Sequence, residues 1–287
     1  MRRLISISDS AALGEYGFVK DYSGATWRLI RSGPADGATN MAIDEAVLRA
    51  VAREQAPPTL RLYAWQPPCL SLGRGQPVAD VDRRAVEVAG YDMVRRPTGG
   101  RAILHIDELT YSIVAPQRDS RVSGSVVESY RRLSTGLVRA MELLGVEQIM
   151  ADQQVENHDP EGPVCFEVPS DYEITAAGKK LVGSAQMRAQ GVVLQHGTVP
   201  LHGDIARICH LLVQHPDPDR VRTRATTVER ATGRKVSWEE AAEALVTGFA
   251  QSLNLQLAPG ELTEEERAAV DDLRSEKYAS DSWINEI

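Results

Sequence analysis

Apolar residues recur at helical spacing in four stretches, each opened by a short polar side chain able to accept from free backbone amides. Thr39 or Asn40 opens the first, which runs to about Glu54. Ser125, with Glu128 three residues on, opens the second; Tyr130, Leu133, Leu137, Met141 and Leu144 keep the spacing until Gly145 ends it. Ser237 with Glu240 opens the third, with Trp238, Ala241, Ala242, Leu245 and Phe249 on one face, and Thr263 with Glu266 opens a charged fourth. Between them lie short β-rich runs bounded by Gly and Pro: 27–31, 59–65, 69–72, 91–95, 101–105, 109–114, 172–176, 180–182 and 192–196. Many of these follow one another too closely for a crossover helix. Antiparallel hairpins are therefore expected, joining 102–105 to 109–114 and 172–176 to 180–182. The class predicted is α+β, a mixed, mostly antiparallel β-sheet with packed helices.

No repeat or linker divides the chain, so one catalytic domain over 27–257 is expected, with an N-terminal extension over 1–26 and a charged helical tail over 258–287. Its 287 residues can bury a substantial core without disulfide or metal staples. Lys and Arg number 32 against 40 Asp and Glu, a formal charge of −8, and no long basic run breaks that balance. Nucleic acid and anionic membrane surfaces are thus poor partners. No stretch approaches the roughly 18 apolar residues of a membrane span, and the first ten residues turn acidic too soon for a signal peptide, so a cytoplasmic protein is expected. Cys69, Cys165 and Cys209 are far apart and form no CxxC or Cys/His cluster, which predicts reduced thiols and no metal site.

Three segments carry candidate chemistry. In the first, a strand stops at Pro97, turns through Gly99 and Gly100 and resumes towards His105, with Arg95, Arg96 and Arg101 around the turn. Paired glycines admit close approach of a ligand, and the arginines suit a carboxylate, a phosphate or a phosphopantetheine arm; an ordinary Arg-flanked hairpin has the same pattern. In the second, Cys165 follows a long polar loop and precedes Pro169-Ser-Asp-Tyr-Glu173, a position open to substrate or to burial as a small hydrophobe. In the third, Gly178-Lys-Lys180 leads into Gly183-Ser184-Ala185, small enough for a ligand to lie against. A hairpin there would return Lys180 towards Cys165, where an ammonium favours the thiolate. His105 and His196, the latter followed by Gly197, are either hydrogen-bonded wall residues or general bases.

Taken together and in this order, these segments, with Asn40-Met41-Ala-Ile-Asp44-Glu45, Ser71-Leu-Gly73-Arg74, Glu108-Leu-Thr-Tyr111-Ser112 and Leu194-Gln195-His196-Gly197-Thr198, resemble the biotin/lipoate protein ligase catalytic fold. Within it they are most similar to the cysteine-dependent octanoyltransferases of lipoate biosynthesis. The resemblance implies that Cys165 is the nucleophile, carrying an acyl thioester, and that Lys180 lowers its pKa and moves protons. It also implies an acyl site shaped by Arg96, Gly99, Gly100, Arg101, Gly183, Ser184 and Ala185, with His105, His196 and Gly197 beside it. The donor would be octanoyl-acyl carrier protein and the acceptor a lysine of the glycine cleavage H protein or another lipoyl domain. Such a donor is already activated, so neither ATP nor a cofactor is expected. An ATP-dependent lipoate ligase, an amidotransferase moving octanoyl from H protein to other lipoyl domains, and a non-catalytic acyl-binding protein are the alternatives on the same fold.

Overall fold

The computed structural model describes residues 22–152 and 173–287. Its strands are β1 (Ala25–Arg31), β2 (Thr59–Tyr63), β3 (Cys69–Leu72), β4 (Asp92–Arg95), β5 (Ile103–His105), β6 (Glu108–Pro116), β7 (Ile149–Asp152), β8 (Glu173–Ala176), β9 (Lys179–Ala189), β10 (Val192–Pro200) and β11 (Leu255–Pro259). The helices are α1 (Gly37–Ala52), α2 (Arg83–Val88), α3 (Val126–Leu143), α4 (Pro218–Arg224), α5 (Val228–Thr232), α6 (Trp238–Leu253), α7 (Glu264–Leu273) and α8 (Asp281–Ile284). Eight strands form one sheet in the order β11-β1-β2-β6-β10-β9-β8-β7, and β4-β3-β5 form a smaller one. Pairing is antiparallel except for β1 with β2 and β11, and β3 with β4. The mixed, mostly antiparallel α+β class is what the strand spacing required.

Alternation along the central strands divides the core between the two faces of the large sheet. Leu109, Tyr111 and Ile113 of β6 and Val193 and Val199 of β10 bury with α3 and α6. Val114 and Leu194 turn the other way, into a second cluster with α1, α7 and Tyr278. On this second face the strands also carry polar residues: Ser112 lies opposite His196 and Thr110 opposite Thr198 across the β6–β10 ladder. The register thus gathers hydroxyls and an imidazole at mid-sheet.

The helix ends at Ser125, Ser237 and Thr263 carry the caps expected, and Glu128 and Glu266 complete capping boxes. The first helix begins earlier than its sequence suggests. Asp36 caps it, accepting from the Thr39 amide at 2.7 Å, because the Asn40 amide group is spent inside the fold on the carbonyls of Ala35 and Ala64. The hairpin of β8 and β9 forms as expected, through Ala177 and Gly178, both left-handed. The hairpin expected between 102–105 and 109–114 does not form. Residues Ile103–His105 instead pair with β3, and β6 pairs with β2 and β10. Packing decides this: Leu70, Leu72 and Ile103 share a separate apolar cluster with Val81, Val86, Ile208 and Leu211, and Asp107, at φ 54°, turns the chain from one sheet to the other. The parallel edge, β11 and the short helices 83–88, 218–224 and 228–232 carry no periodic signal and were not anticipated. Among the described residues no helix is long and apolar enough to cross a membrane.

Helices α3 and α6 cross at two glycines. A Cβ on Gly248 would lie 2.4 Å from the Gly136 carbonyl oxygen and 2.7 Å from the Ala140 nitrogen, and one on Gly136 would lie 2.4 Å from Phe249 Cδ1. Alanine in mid-helix ordinarily stabilises by about 1 kcal/mol relative to glycine. Here the backbones cannot separate without opening the core, so Gly248→Ala should lower stability by about 1–3 kcal/mol, read as a lower urea midpoint at unchanged m-value.

Candidate active site

The floor of the site is built around one carboxylate. Asp44 lies on the inner face of α1 with no exposed surface, and each of its oxygens meets two donors. Oδ1 accepts from Arg61 Nη1 and Ser112 Oγ, both at 2.8 Å; Oδ2 accepts from Tyr63 Oη at 3.0 Å and faces His196 Nδ1 at 3.2 Å. Arg61 donates also to Ser32 Oγ and to the carbonyl and side-chain oxygens of Asn40. Burial pushes the Asp44 carboxyl up, but the His196 hydrogen bond and the Arg61 charge outweigh it and hold the group below its ordinary value. A carboxylate can only accept, which puts the His196 proton on Nδ1 and leaves Nε2 to accept from Thr98 Oγ1 at 2.7 Å. Burial lowers the His196 pKa, against the pull of Asp44, and keeps the ring neutral.

A second buried relay runs beside the first. Nδ1 of His105 lies 2.8 Å from Glu108 Oε1 and its Nε2 lies 2.6 Å from Ser71 Oγ. Glu108 also accepts from Thr110 Oγ1 at 2.5 Å and from Thr198 Oγ1, while Trp65 donates to Thr110 at 2.8 Å and stacks on the imidazole at 4.0 Å. Both nitrogens of both histidines are therefore engaged within the wall.

The turn after β4 closes the next side. Arg96, buried, donates through Nη1 to the Ser71 carbonyl and hydroxyl and through Nη2 to the carbonyls of Gly99 and Arg101, at 3.1 and 3.0 Å. It shapes the turn from within. Gly100 takes φ 97°, and its carbonyl lies so close to Gly73 that any Cβ there would be 1.9 Å from the oxygen. Opposite, β9 presents Gly183 and Ala185 in register with Thr198 and His196. Ser184 turns to the other face, where its hydroxyl meets Tyr111 Oη at 2.7 Å, and Gly197 leaves room for that contact. Lys180, at the start of β9, is only 4% exposed, and its carbonyl accepts from the Thr226 amide.

These walls enclose a cavity of about 120 Å³. Arg96, Gly99, Gly100, Arg101 and His105 line it from one side, and Lys180, Gly183, Ser184, Ala185, His196 and Gly197 from the other. Cys165 and the polar loop before it lie outside the described residues. The other two thiols are sealed in the core: Cys69 is fully buried and Cys209 is 2% exposed. Burial, with the Asp92 charge adding to it, pushes the Cys69 thiol well above its ordinary range. Sequence reasoning assigned no role to Asp44, Glu108, Ser71, Trp65 or Thr98. A signal was present for the first: Asn40 and Asp44 stand one turn apart on a helix face otherwise made of Met41, Val47, Leu48 and Val51.

The large sheet sets a buried lysine and a Gly-Ser-Ala wall of β9 against the Gly-Gly turn between β4 and β5 of the smaller sheet, around one cavity, in a catalytic domain of the lipoyl-ligase type. The family model described as the lipoyl protein ligase A/B catalytic domain matches residues 36–250, from the cap of α1 into the last turn of α6. The chain belongs to this family. Among curated relatives it is 46% identical over 269 residues to octanoyltransferase LipM of Kyrpidia tusciae, covering 90% of this chain and 98% of that one. It is 44% identical to octanoyltransferase LipM of Symbiobacterium thermophilum, over 90% and 97%. Among solved structures, lipoate-protein ligase A bound with ATP superposes with a TM-score of 0.78 at 24% identity, covering 92% of this chain and all of that one, which is a likeness of fold. A bipartite lipoate protein ligase from Thermoplasma acidophilum gives 0.76 at 23% identity, over 91% and 97%.

The relay at Asp44 makes stability depend on acid. As the pH falls below 6.5 the unfolded chain protonates its histidine while folded His196 resists, so the unfolded state binds more protons and stability declines. Asp44 adds a further decline as the pH falls below 3.8 and through its lower folded value. Unfolding free energies of wild type and His196→Gln, measured from about pH 7 to 4.5, should show a shallower slope in the variant over the upper part of that range.

Proposed function

We propose that this chain is an octanoyltransferase of protein lipoylation that moves octanoyl from acyl carrier protein to a lysine of a lipoyl-accepting protein, through a thioester on Cys165. The observation that carries the reading is Lys180, a buried amine on the wall of the cavity shared by the Gly99-Gly100 turn and the Gly183–Ala185 wall. The names of the curated relatives support the reaction class. The burial of Cys69 and Cys209 supports the choice of thiol, since neither is placed to become a thiolate or to meet a substrate.

In this mechanism an ammonium at Lys180 lowers the pKa of the Cys165 thiol. The thiolate attacks the thioester carbonyl of the donor, the new carbon–sulfur bond replaces the old one, and the phosphopantetheine thiolate leaves with a proton from Lys180. The neutral acceptor amine then attacks the acyl-enzyme, its proton returns to Lys180, and the Cys165 thiolate is expelled as the amide forms. One thioester is exchanged for another, and the second step is driven by the greater stability of the amide. The glycine cleavage H protein is the acceptor this reading favours, and a reducing cytoplasm suits the free thiol.

Intact mass spectrometry tests the scheme. Incubated with octanoyl carrier protein alone, wild type should gain one hydroxylamine-labile octanoyl group, which H protein discharges, and Cys165→Ser should gain none. Modification of the acceptor only when free octanoate and ATP are supplied, by wild type and variant alike, would move the chain to the ligases. Lys180→Arg keeps the positive charge but cannot act as the base. It should still form the adduct while slowing discharge to the acceptor by roughly 10²–10⁴-fold.

A further inference from the structure

The Gly99-Gly100 turn leads away from the cavity to an unexpected neighbour. Beneath it, Gly73 packs on the Gly100 carbonyl and the Arg74 amide donates to the Thr98 carbonyl at 2.8 Å, so the 73–76 loop is the bed on which the turn rests. That loop is held by Arg95. Its side chain, fully buried, donates to the carbonyls of Gly73 at 2.9 Å and Gln76 at 2.7 Å, and reaches past them to the Ile284 carbonyl at 2.8 Å. Residues 281–287 complete the clamp. Trp283 Nε1 donates to the Arg95 carbonyl at 2.9 Å, Glu286 pairs with both terminal nitrogens of Arg74, and the Val78 amide donates to the Ile287 carbonyl.

Trp283 is the centre of this contact. The Arg74 guanidinium and the Lys277 ammonium each lie 4.1 Å from its ring centre, and Lys277 in turn donates to Glu45 at 2.6 Å, the residue beside Asp44. Cations over an indole are attracted by its electron-rich faces. Adjacent arginines thus divide the work: Arg96 holds the turn from inside the cavity wall, and Arg95 ties its bed to the C-terminal segment.

We infer that Trp283, acting through Arg95 and the 73–76 loop, is a positioning residue for the Gly99–Arg101 wall of the acyl site, so that the C-terminal segment sets donor binding without touching the donor. This rests on reading that cavity as the acyl site. A turn that must present its backbone to a bound chain loses rate steeply with small displacement. Deleting the indole releases the loop, and the loop releases the turn, while Lys180 and the sheet floor stay in place.

The test compares wild type, Trp283→Ala, Trp283→Phe and Glu286→Gln as full-length proteins. Hydrogen exchange of the peptide spanning 96–104 is read together with the KM for octanoyl carrier protein per acylatable site, counted by intact mass. In Trp283→Ala that peptide should exchange about tenfold faster or more and KM should rise by a comparable factor, with Trp283→Phe intermediate because it keeps the stacked cations and loses the Nε1 bond. Unchanged exchange in that peptide would overturn the inference, as would a smaller active fraction at unchanged per-site KM, the mark of a merely structural tryptophan. Glu286→Gln, an exposed change, gives the same readings in milder form if Trp283→Ala does not fold. Should wild type take no octanoyl group, the transfer reading fails, and the exchange arm still decides whether segment and turn are coupled.

Discussion

A carboxylate with no access to water must find partners for both oxygens, and Asp44 recruits four of them from three strands. Arg61 and Tyr63 come from β2, Ser112 from β6 and His196 from β10. One buried charge on α1 therefore fixes the helix against three neighbouring strands at once. An apolar residue at this position would pack without preferring one register to another; a charge accepts few arrangements, because leaving it unpaired costs several kcal/mol. The same geometry sets the tautomer of His196, which orients Thr98 and so reaches the turn at the cavity edge. Folding and site assembly are here a single event.

The polar residues lining the cavity are nearly all committed to one another. Arg96 is spent on carbonyls, and His105 and His196 each use both nitrogens. What this yields is a rigid vessel: backbone and small side chains at its surface, with titratable groups locked behind them. Lys180, buried on the opposite wall, is the group to which the proposed mechanism gives the proton transfers.

Much of the helical frame was legible because capping boxes and apolar spacing are local signals, and Ser125, Ser237 and Thr263 carry them directly. The β8–β9 turn was legible from the short gap between its two runs and from Gly178, which is left-handed without strain; Ala177 beside it takes φ 48° against its preference. Strand partnership was not. Nothing within 103–114 indicates that Ile103 pairs with Ser71 while Ser112 pairs with Arg61, because that choice is made by apolar clusters assembled from distant segments. The lining of the cavity could be collected from Gly-rich and basic motifs, but the residues that hold it could not. Glu108 looks like an ordinary surface carboxylate until the sheet buries it, and Asp44 is marked only by standing on an apolar helix face.

The large sheet ends, beside its first strand, in β11. Ala25 to Leu29 of β1 pair in parallel with 255–259, and Arg28, inside that seam, grips Glu266 through two short bonds across 238 residues of sequence. During synthesis, therefore, β1 leaves the ribosome long before either partner exists. Until residues beyond 266 emerge, an arginine destined for burial has no counterion and a strand edge stands open, the circumstance in which nascent chains are most exposed to misassociation. Helix α7 is thus a condition of completing the first strand, whose buried arginine stays unpaired until Glu266 has been made.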